Sequence, residues 1–210
     1  MEKTTIQIRR IREQEIFEKD DEVAVEHTLR IPLKNGIEDV VTCTPDYLEE
    51  MILARQYLAG DLDGKEYGQD AAKTLESVSL NEIFSIARDS FENPGPLFTD
   101  TGCAHSCALI YKGETLCHIE DIGRHNALDK VIGFALKHKI PMKNAYIFSS
   151  GRISGDYLSK VVSAGFPMAV SRAAVTNEAV LLAEKENITM LGFIRKNNGN
   201  LYHEGTVSVK

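Results

Sequence analysis

The stretch that decides the fold runs from Ala145 to Ile194: AYIFSSGRISGDYLSKVVSAGFPMAVSRAAVTNEAVLLAEKENITMLGFI. Ala145 to Phe148 is a short apolar run, and Ser149-Ser150-Gly151 turns the chain after it. Leu158, Val161 and Val162 then recur at helical spacing up to Gly165. Pro167 to Val170 reads as a second strand. Thr176 is placed to cap a helix with Ala179, Leu182 and Ala183 turned inward. Ile188 to Ile194 reads as a third strand, followed by a turn over Asn197 to Asn200. Strand, helix, strand, helix, strand predicts an α/β fold, a sheet with helices packed on its faces.

The pattern extends outward from there. Cys107 to Tyr111 and Thr115 to Ile119 flank Lys112-Gly113, a hairpin signal, and Leu128, Val131, Ile132, Ala135 and Leu136 follow helical spacing. Ser79 with Glu82 has the form of a capping box, opening a helix with the apolar stripe Ile83, Phe84, Ala87 and Phe91. Asn93-Pro94-Gly95-Pro96 closes that helix and marks a boundary between an N-terminal hairpin and helical region, 1–95, and an α/β core, 96–210. Further toward the start, Asp46 to Leu58 looks helical, and Gly60 to Gly68 is a polar loop. Val23, Val25, His27, Leu29 and Ile31 alternate on one strand face, Asn35-Gly36 is a hairpin turn, and Val40 to Thr44 returns. Residues 1–20 show no clear period and read as a frayed or edge segment.

Composition limits the partners. Of 210 residues, 43 % are apolar and 26 % charged, enough for a sizeable core and against wholesale disorder. A net charge of −7 offers no basic footprint for nucleic acid, so an anionic ligand must be held by a few placed cations and backbone amides. No apolar run approaches the ~18 residues of a membrane span. The polar stretch Met1 to Glu15 lacks the apolar centre of a secretory signal, so a cytoplasmic location is expected. There the four cysteines, Cys43, Cys103, Cys107 and Cys117, stay reduced.

Four clusters carry chemistry. In Thr101-Gly102-Cys103-Ala104-His105-Ser106-Cys107, two thiols and an imidazole converge whether the segment is a strand or opens a helix. The cluster suits a soft metal, or a nucleophilic thiolate kept ionised by a nearby imidazolium, or buried small residues beside a satisfied histidine. A zinc site would lack a second Cys-x-x-Cys. The segment Glu120 to Lys130 packs ionisable side chains around a strand-to-helix junction, with Arg124 able to fork onto phosphate and Asp129 and Lys130 reading as an exposed pair. Ser149-Ser150-Gly151-Arg152 follows a strand and precedes a helix, where small residues and free amides let an anion approach. Arg195 and Lys196 at a strand end add two more cations, and Asn197 and Asn198 either read a base edge or make the turn.

Together these clusters resemble the formate dehydrogenase accessory sulfurtransferase family, FdhD. The most specific match is EDIGRHNALDKVIG, Glu120 to Gly133. Thr101-Gly102 with His105, Ser150-Gly151-Arg152 with Ser154, and Gly192-Phe193 with Arg195 fall in the family's order, and VAVEHTLRIPLKNG, Val23 to Gly36, and Thr44-Pro45 match more loosely. The resemblance implies a cytidine-deaminase-like three-layer core with a mixed sheet, usually in a homodimer. It implies a protein that takes persulfide sulfur from a cysteine desulfurase and passes it to the molybdenum bis(guanine dinucleotide) cofactor, as bound cargo, for formate dehydrogenase. The family's Cys-Gly-x-Cys-Gly segment is absent, while Cys103 and Cys107 stand where the family usually has Gly and Ala. Cys103 is then the expected persulfide carrier, with His105 beside it and Cys107 assisting or resolving. The cargo is expected against Phe193, Ile194, Arg195, Lys196, Asn197 and Asn198, with Arg124, His125, Asn126, Ser150, Gly151 and Arg152 as further lining. No resident metal is expected. A second reading is a non-catalytic holder of the molybdenum cofactor, and a third is a zinc hydrolase of the deaminase type, which would need a Pro-Cys-x-x-Cys segment that does not occur.

Overall fold

Three strands of the decisive stretch lie side by side and point the same way. In the computed structural model, which describes residues 2–34, 36–71 and 73–210, they form the centre of a six-stranded mixed sheet. In chain order the strands are β1 (Lys3–Arg12), β2 (Glu15–Ala24), β3 (His27–Pro32), β4 (Glu38–Cys43), β5 (Ser77–Val78), β6 (His105–Tyr111), β7 (Glu114–Asp121), β8 (Ala145–Ser149), β9 (Met168–Ser171), β10 (Thr189–Arg195), β11 (Asn198–His203) and β12 (Ser208–Val209). The helices are α1 (Leu48–Leu58), α2 (Leu80–Glu92), α3 (Pro96–Thr101), α4 (Arg124–Lys137), α5 (Gly155–Ala164) and α6 (Asn177–Glu186). The sheet order is β11-β10-β9-β8-β6-β7, with β8, β9 and β10 parallel and the remaining pairs antiparallel.

Strict alternation sends side chains to two cores. Cys107, Leu109, Ala145, Ile147, Ala169 and Met190 pack with α4, α5 and α6 on one face. Ala108, Ile110, Tyr146, Phe148, Met168 and Val170 pack with Ile83, Ile86 and Ala87 of α2 on the other. Burial on both faces explains why β8 and β9 read as continuous apolar runs. The result is three layers, helix, sheet and helix. Outside α4 lies α1, and the β3–β4 hairpin covers α1 through Ile31, Val41, Cys43 and Met51. Helices α1 and α2 both come from the 1–95 segment, and β5 pairs in parallel with β12 from the far end of the chain.

Several expectations need correction. Of the frayed or edge readings of residues 1–20, the frayed one fails: residues 3–24 form a long two-stranded antiparallel hairpin, closing at Glu13 in the left-handed region with φ 56°. No glycine marks that turn, and both faces of the ribbon mix charges with apolar residues, so no period shows. The alternating strand from Val23 breaks at Val25-Glu26 and resumes as β3. Asn35 of the expected hairpin turn lies outside the described residues. Gly36 has φ +79° in the β3–β4 connection. Half of the capping box forms: Ser79 Oγ accepts from the Glu82 amide, while the Glu82 carboxylate accepts instead from the Tyr146 hydroxyl at 2.9 Å. Phe91 leaves the apolar stripe and is 65 % exposed. The turn at the end of β10 shrinks to Lys196-Asn197, with Lys196 at φ 54°, and Asn198 already belongs to β11.

Candidate functional site

In this topology the carboxyl ends of β7, β8, β9 and β10 and the amino end of β6 share one edge of the sheet. Open α/β sheets place ligands outside that edge. The chain puts a cation after each of the four strand ends: Arg124 after β7, Arg152 after β8, Arg172 after β9 and Arg195 at the end of β10. Cys103 and His105 enter between Arg124 and Arg152, at the start of β6.

The loops along this edge are stitched by their backbones. Ser106 and Ser150 exchange two bonds, Ser106 N–H to Ser150 Oγ at 2.8 Å and Ser150 N–H to the Ser106 carbonyl at 2.9 Å. The Arg172 amide donates to the Ser149 carbonyl, and the Phe193 amide to the Ala173 carbonyl. Ser171 Oγ donates to the Gly151 carbonyl at 2.7 Å. Gly151 is needed as glycine because a Cβ there would sit 2.9 Å from Arg124 Cβ and 3.4 Å from His105 Nδ1. A register shift between Gly192 and Arg195 makes a bulge in β10, with Phe193 held at φ 54°. Bulges at sheet ends re-aim side chains, and this one turns Phe193 outward at 40 % exposure, with the Arg195 guanidinium 5.8 Å from its ring centroid.

Two cavities open along the edge. One, of about 360 Å³, is lined by Cys103, His105, Ser106, Ser150, Phe98 and Arg172, among others. The other, of about 680 Å³, is lined by Arg88, Phe91 and Glu92 of α2 together with Arg172 and Ile194 to Asn198. Arg172 belongs to both walls. Sequence reading missed it, although Ser171-Arg172 after β9 repeats the Ser-Arg chemistry that follows β8.

Cys103 is exposed, in the loop after α3. Its place is set by a chain of contacts that starts at Glu120. This buried carboxylate accepts from the Leu97 and Phe98 amides at 3.0 and 2.8 Å, clamping the start of α3. A Cβ on Gly95 would fall 2.2 Å from it, so the preceding turn is glycine. At the other end of α3, the Thr101 hydroxyl accepts from the Cys103 amide at 3.0 Å.

The expected partner thiol is elsewhere. Cys107 lies in the core beneath the sheet, with the Tyr157 hydroxyl 3.7 Å from its sulfur, and burial pushes its thiol up to about 12. An assisting or resolving role for Cys107 is therefore corrected: inward alternation on β6 seals it. Cys43 is buried too, and burial raises Cys117 to about 12. The imidazolium expectation also changes. Loss of water around His105, then the Arg124 and Arg152 charges, lower its pKa, which favours the neutral ring at pH 7.

The most specific motif is mainly structural. Asp121 is fully buried and accepts from the Thr44 amide and hydroxyl, the Gly123 amide and Asn126, and pairs with Lys130 at 2.6 Å. Asp129 is held by Lys160 at 2.8 Å and Arg55 at 2.7 Å. Asp129 and Lys130 are thus not an exposed pair: both are at 0 % exposure. Asn126 is likewise committed, donating to the Thr42 carbonyl and Asp121. His125 turns toward Asp156 at 3.1 Å and the edge of Tyr157. Arg124 packs over Gly151 and donates to Ser154 Oγ at 3.2 Å. Of the expected further lining, Ser150 faces the Cys103 cavity, while Arg124, His125, Asn126, Gly151 and Arg152 line neither cavity. Among the described residues no three His, Cys, Asp or Glu side chains group to hold a metal ion, and no helix is long and apolar enough to cross a membrane.

Comparison with known proteins follows the same residues. Residues 56–207 match the model of the FdhD/NarQ family. A sulfur carrier protein FdhD from Wolinella succinogenes is 36 % identical over 154 residues, 73 % of this chain and 53 % of that protein, so the match spans about half the relative's length. The sulfur carrier protein FdhD of Bacillus subtilis is 30 % identical over 241 residues, covering 90 % of each chain. A crystal structure from Desulfotalea psychrophila, described as a formate dehydrogenase accessory protein, superposes with a TM-score of 0.84 at 25 % identity, covering 96 % of each chain.

Proposed function

This chain belongs to the FdhD/NarQ family, and from that premise we propose that it is a sulfur carrier for formate dehydrogenase maturation, with Cys103 as the sulfur-bearing atom. The donor is a cysteine desulfurase. The acceptor is a molybdenum cofactor of the guanine dinucleotide type, docked as cargo along the cationic edge. One observation carries this reading: the cavity of the exposed thiol and the cavity of Arg195 to Asn198 share a wall at Arg172. A sulfur at Cys103 and an anion held by Arg195 and Lys196 are then neighbours.

The chemistry balances with one thiol. The Cys103 thiolate attacks the terminal sulfur of the donor's cysteine persulfide. A new S–S bond forms at Cys103, the donor's S–S bond breaks, and the donor cysteine leaves as thiolate. His105, favoured as the neutral ring, is the group in that cavity suited to take the thiol proton. Onward, a nucleophile of the acceptor takes the terminal sulfur and Cys103 leaves as thiolate. No internal disulfide enters, because Cys43 and Cys107 are sealed and Cys117 is largely enclosed.

The full chain, incubated with a cysteine desulfurase and cysteine, is expected to gain the mass of one sulfur, reversible by dithiothreitol. Cys103→Ser is expected to gain none. Full loading of Cys103→Ser would overturn the assignment. The absence of a second accessible thiol favours one other reading, the non-catalytic cofactor holder. An unloaded wild type that still binds GDP would select that reading.

A further inference from the structure

Arg172 has unusual freedom for a residue so firmly placed. Its amide donates to the Ser149 carbonyl at 3.0 Å, and its carbonyl accepts from Arg195 Nε at 3.0 Å, so its backbone is fixed at both ends. Its guanidinium, by contrast, forms no ion pair among the described residues. It lies 5.1 Å from the ring centroid of Phe91, the α2 residue that left the apolar stripe. Stacking on an aromatic face holds a guanidinium in place while leaving its donor edge free for a bidentate oxyanion. Arg172 is a residue of both cavity walls.

We propose that Arg172 is the anchor for a phosphate group at the junction of the two cavities, so that one bound molecule fills both. Its nucleoside part occupies the larger cavity beside Arg195 to Asn198, and its far end enters the smaller cavity beside Cys103. Phe91 acts as a positioning residue that orients the guanidinium. The inference rests on the cargo reading above and goes beyond it in naming the contact that couples docking to the thiol. It also gives a physical reason for Phe91 to be apolar at 65 % exposure.

Two readouts on the full chain test it, with GDP as the probe. One is the affinity for GDP by titration calorimetry. The other is the rate at which iodoacetamide alkylates Cys103, with and without saturating GDP. In the wild type, GDP is expected to bind and to slow alkylation severalfold. Arg172→Ala is expected to lose about tenfold or more in affinity, the scale of one charge-assisted contact, and to lose protection of Cys103 even when GDP is saturating. Arg172→Lys is expected to fall between, keeping the charge without the fork. Phe91→Ala is expected to weaken GDP less than Arg172→Ala does. A wild type that does not bind GDP would sink the cargo reading itself. A wild type that binds, with Arg172→Ala and Arg172→Lys unchanged in affinity and in protection, would overturn only the anchor. Binding that never protects Cys103 in the wild type would show that the cavities hold separate molecules, and would overturn it as well.

Discussion

At the scale of single residues, the histidines make acid sensitivity a built-in property. His105, His118 and His125 all have pKa values lowered from 6.5, each chiefly by desolvation, with Arg124 adding to the effect at His105 and His125. Below about pH 6.5 the unfolded chain therefore takes up protons before the folded one, and stability falls as pH drops. The lowered carboxylates, Glu22, Glu49 and Asp156, add their loss only near and below their ordinary values of 4.5 and 3.8. Urea midpoints are expected to decline between about pH 7 and about pH 5, and His118→Gln to flatten that decline. An unaltered slope in His118→Gln would assign the sensitivity elsewhere. Residue roles are also where sequence reading is weakest. Cys103 and Cys107 look equivalent four positions apart, yet one follows a helix in a loop and the other points inward from a strand. Only the sheet's other strands decide which.

At the scale of elements, the segment Glu120 to Gly133 joins α4 to its surroundings. Asp121 and Lys130 tie it to Thr44 and Asn126 ties it to β4, while Glu120 holds α3. Gly133 lets α1 cross closely, for a Cβ there would fall 1.8 Å from the Glu50 carbonyl oxygen. Gly133→Ala is expected to cost about 3 kcal/mol or more, since backbone and not a flexible side chain must move. Urea unfolding reads this directly, and a loss below about 1 kcal/mol would contradict the crossing geometry. Helices and parallel strands were legible because their apolar spacing reports burial, as in Leu128 to Leu136 and Ala145 to Phe148. The β1–β2 hairpin was not. Its Ile11, Ile16 and Phe17 stay 72, 55 and 42 % exposed, so they follow no buried face.

At the scale of the whole molecule, charge placement is what equips this edge for an anionic cargo. A chain of net charge −7 gathers Arg152, Arg172, Arg195 and Lys196, with Arg88 from α2, at one edge of its sheet. Elsewhere Arg55, Lys130 and Lys160 are spent on buried carboxylates, but among the described residues these five form no ion pair. Of these, Arg88, Arg172, Arg195 and Lys196 line the cavities, and a cleft lined this way concentrates anions despite the overall sign. The individual arginines after β7, β8 and β10 are visible in the sequence, but their alignment is a consequence of strand order, as is the role of Arg172. The most direct measurement is a crystal structure of the protein with GDP. The diphosphate is expected on the Arg172 guanidinium, the base toward Asn197 and Asn198, and the terminal phosphate facing the cavity of Cys103 and His105. A nucleotide bound away from this edge, or with its phosphates turned from Cys103, would contradict this placement.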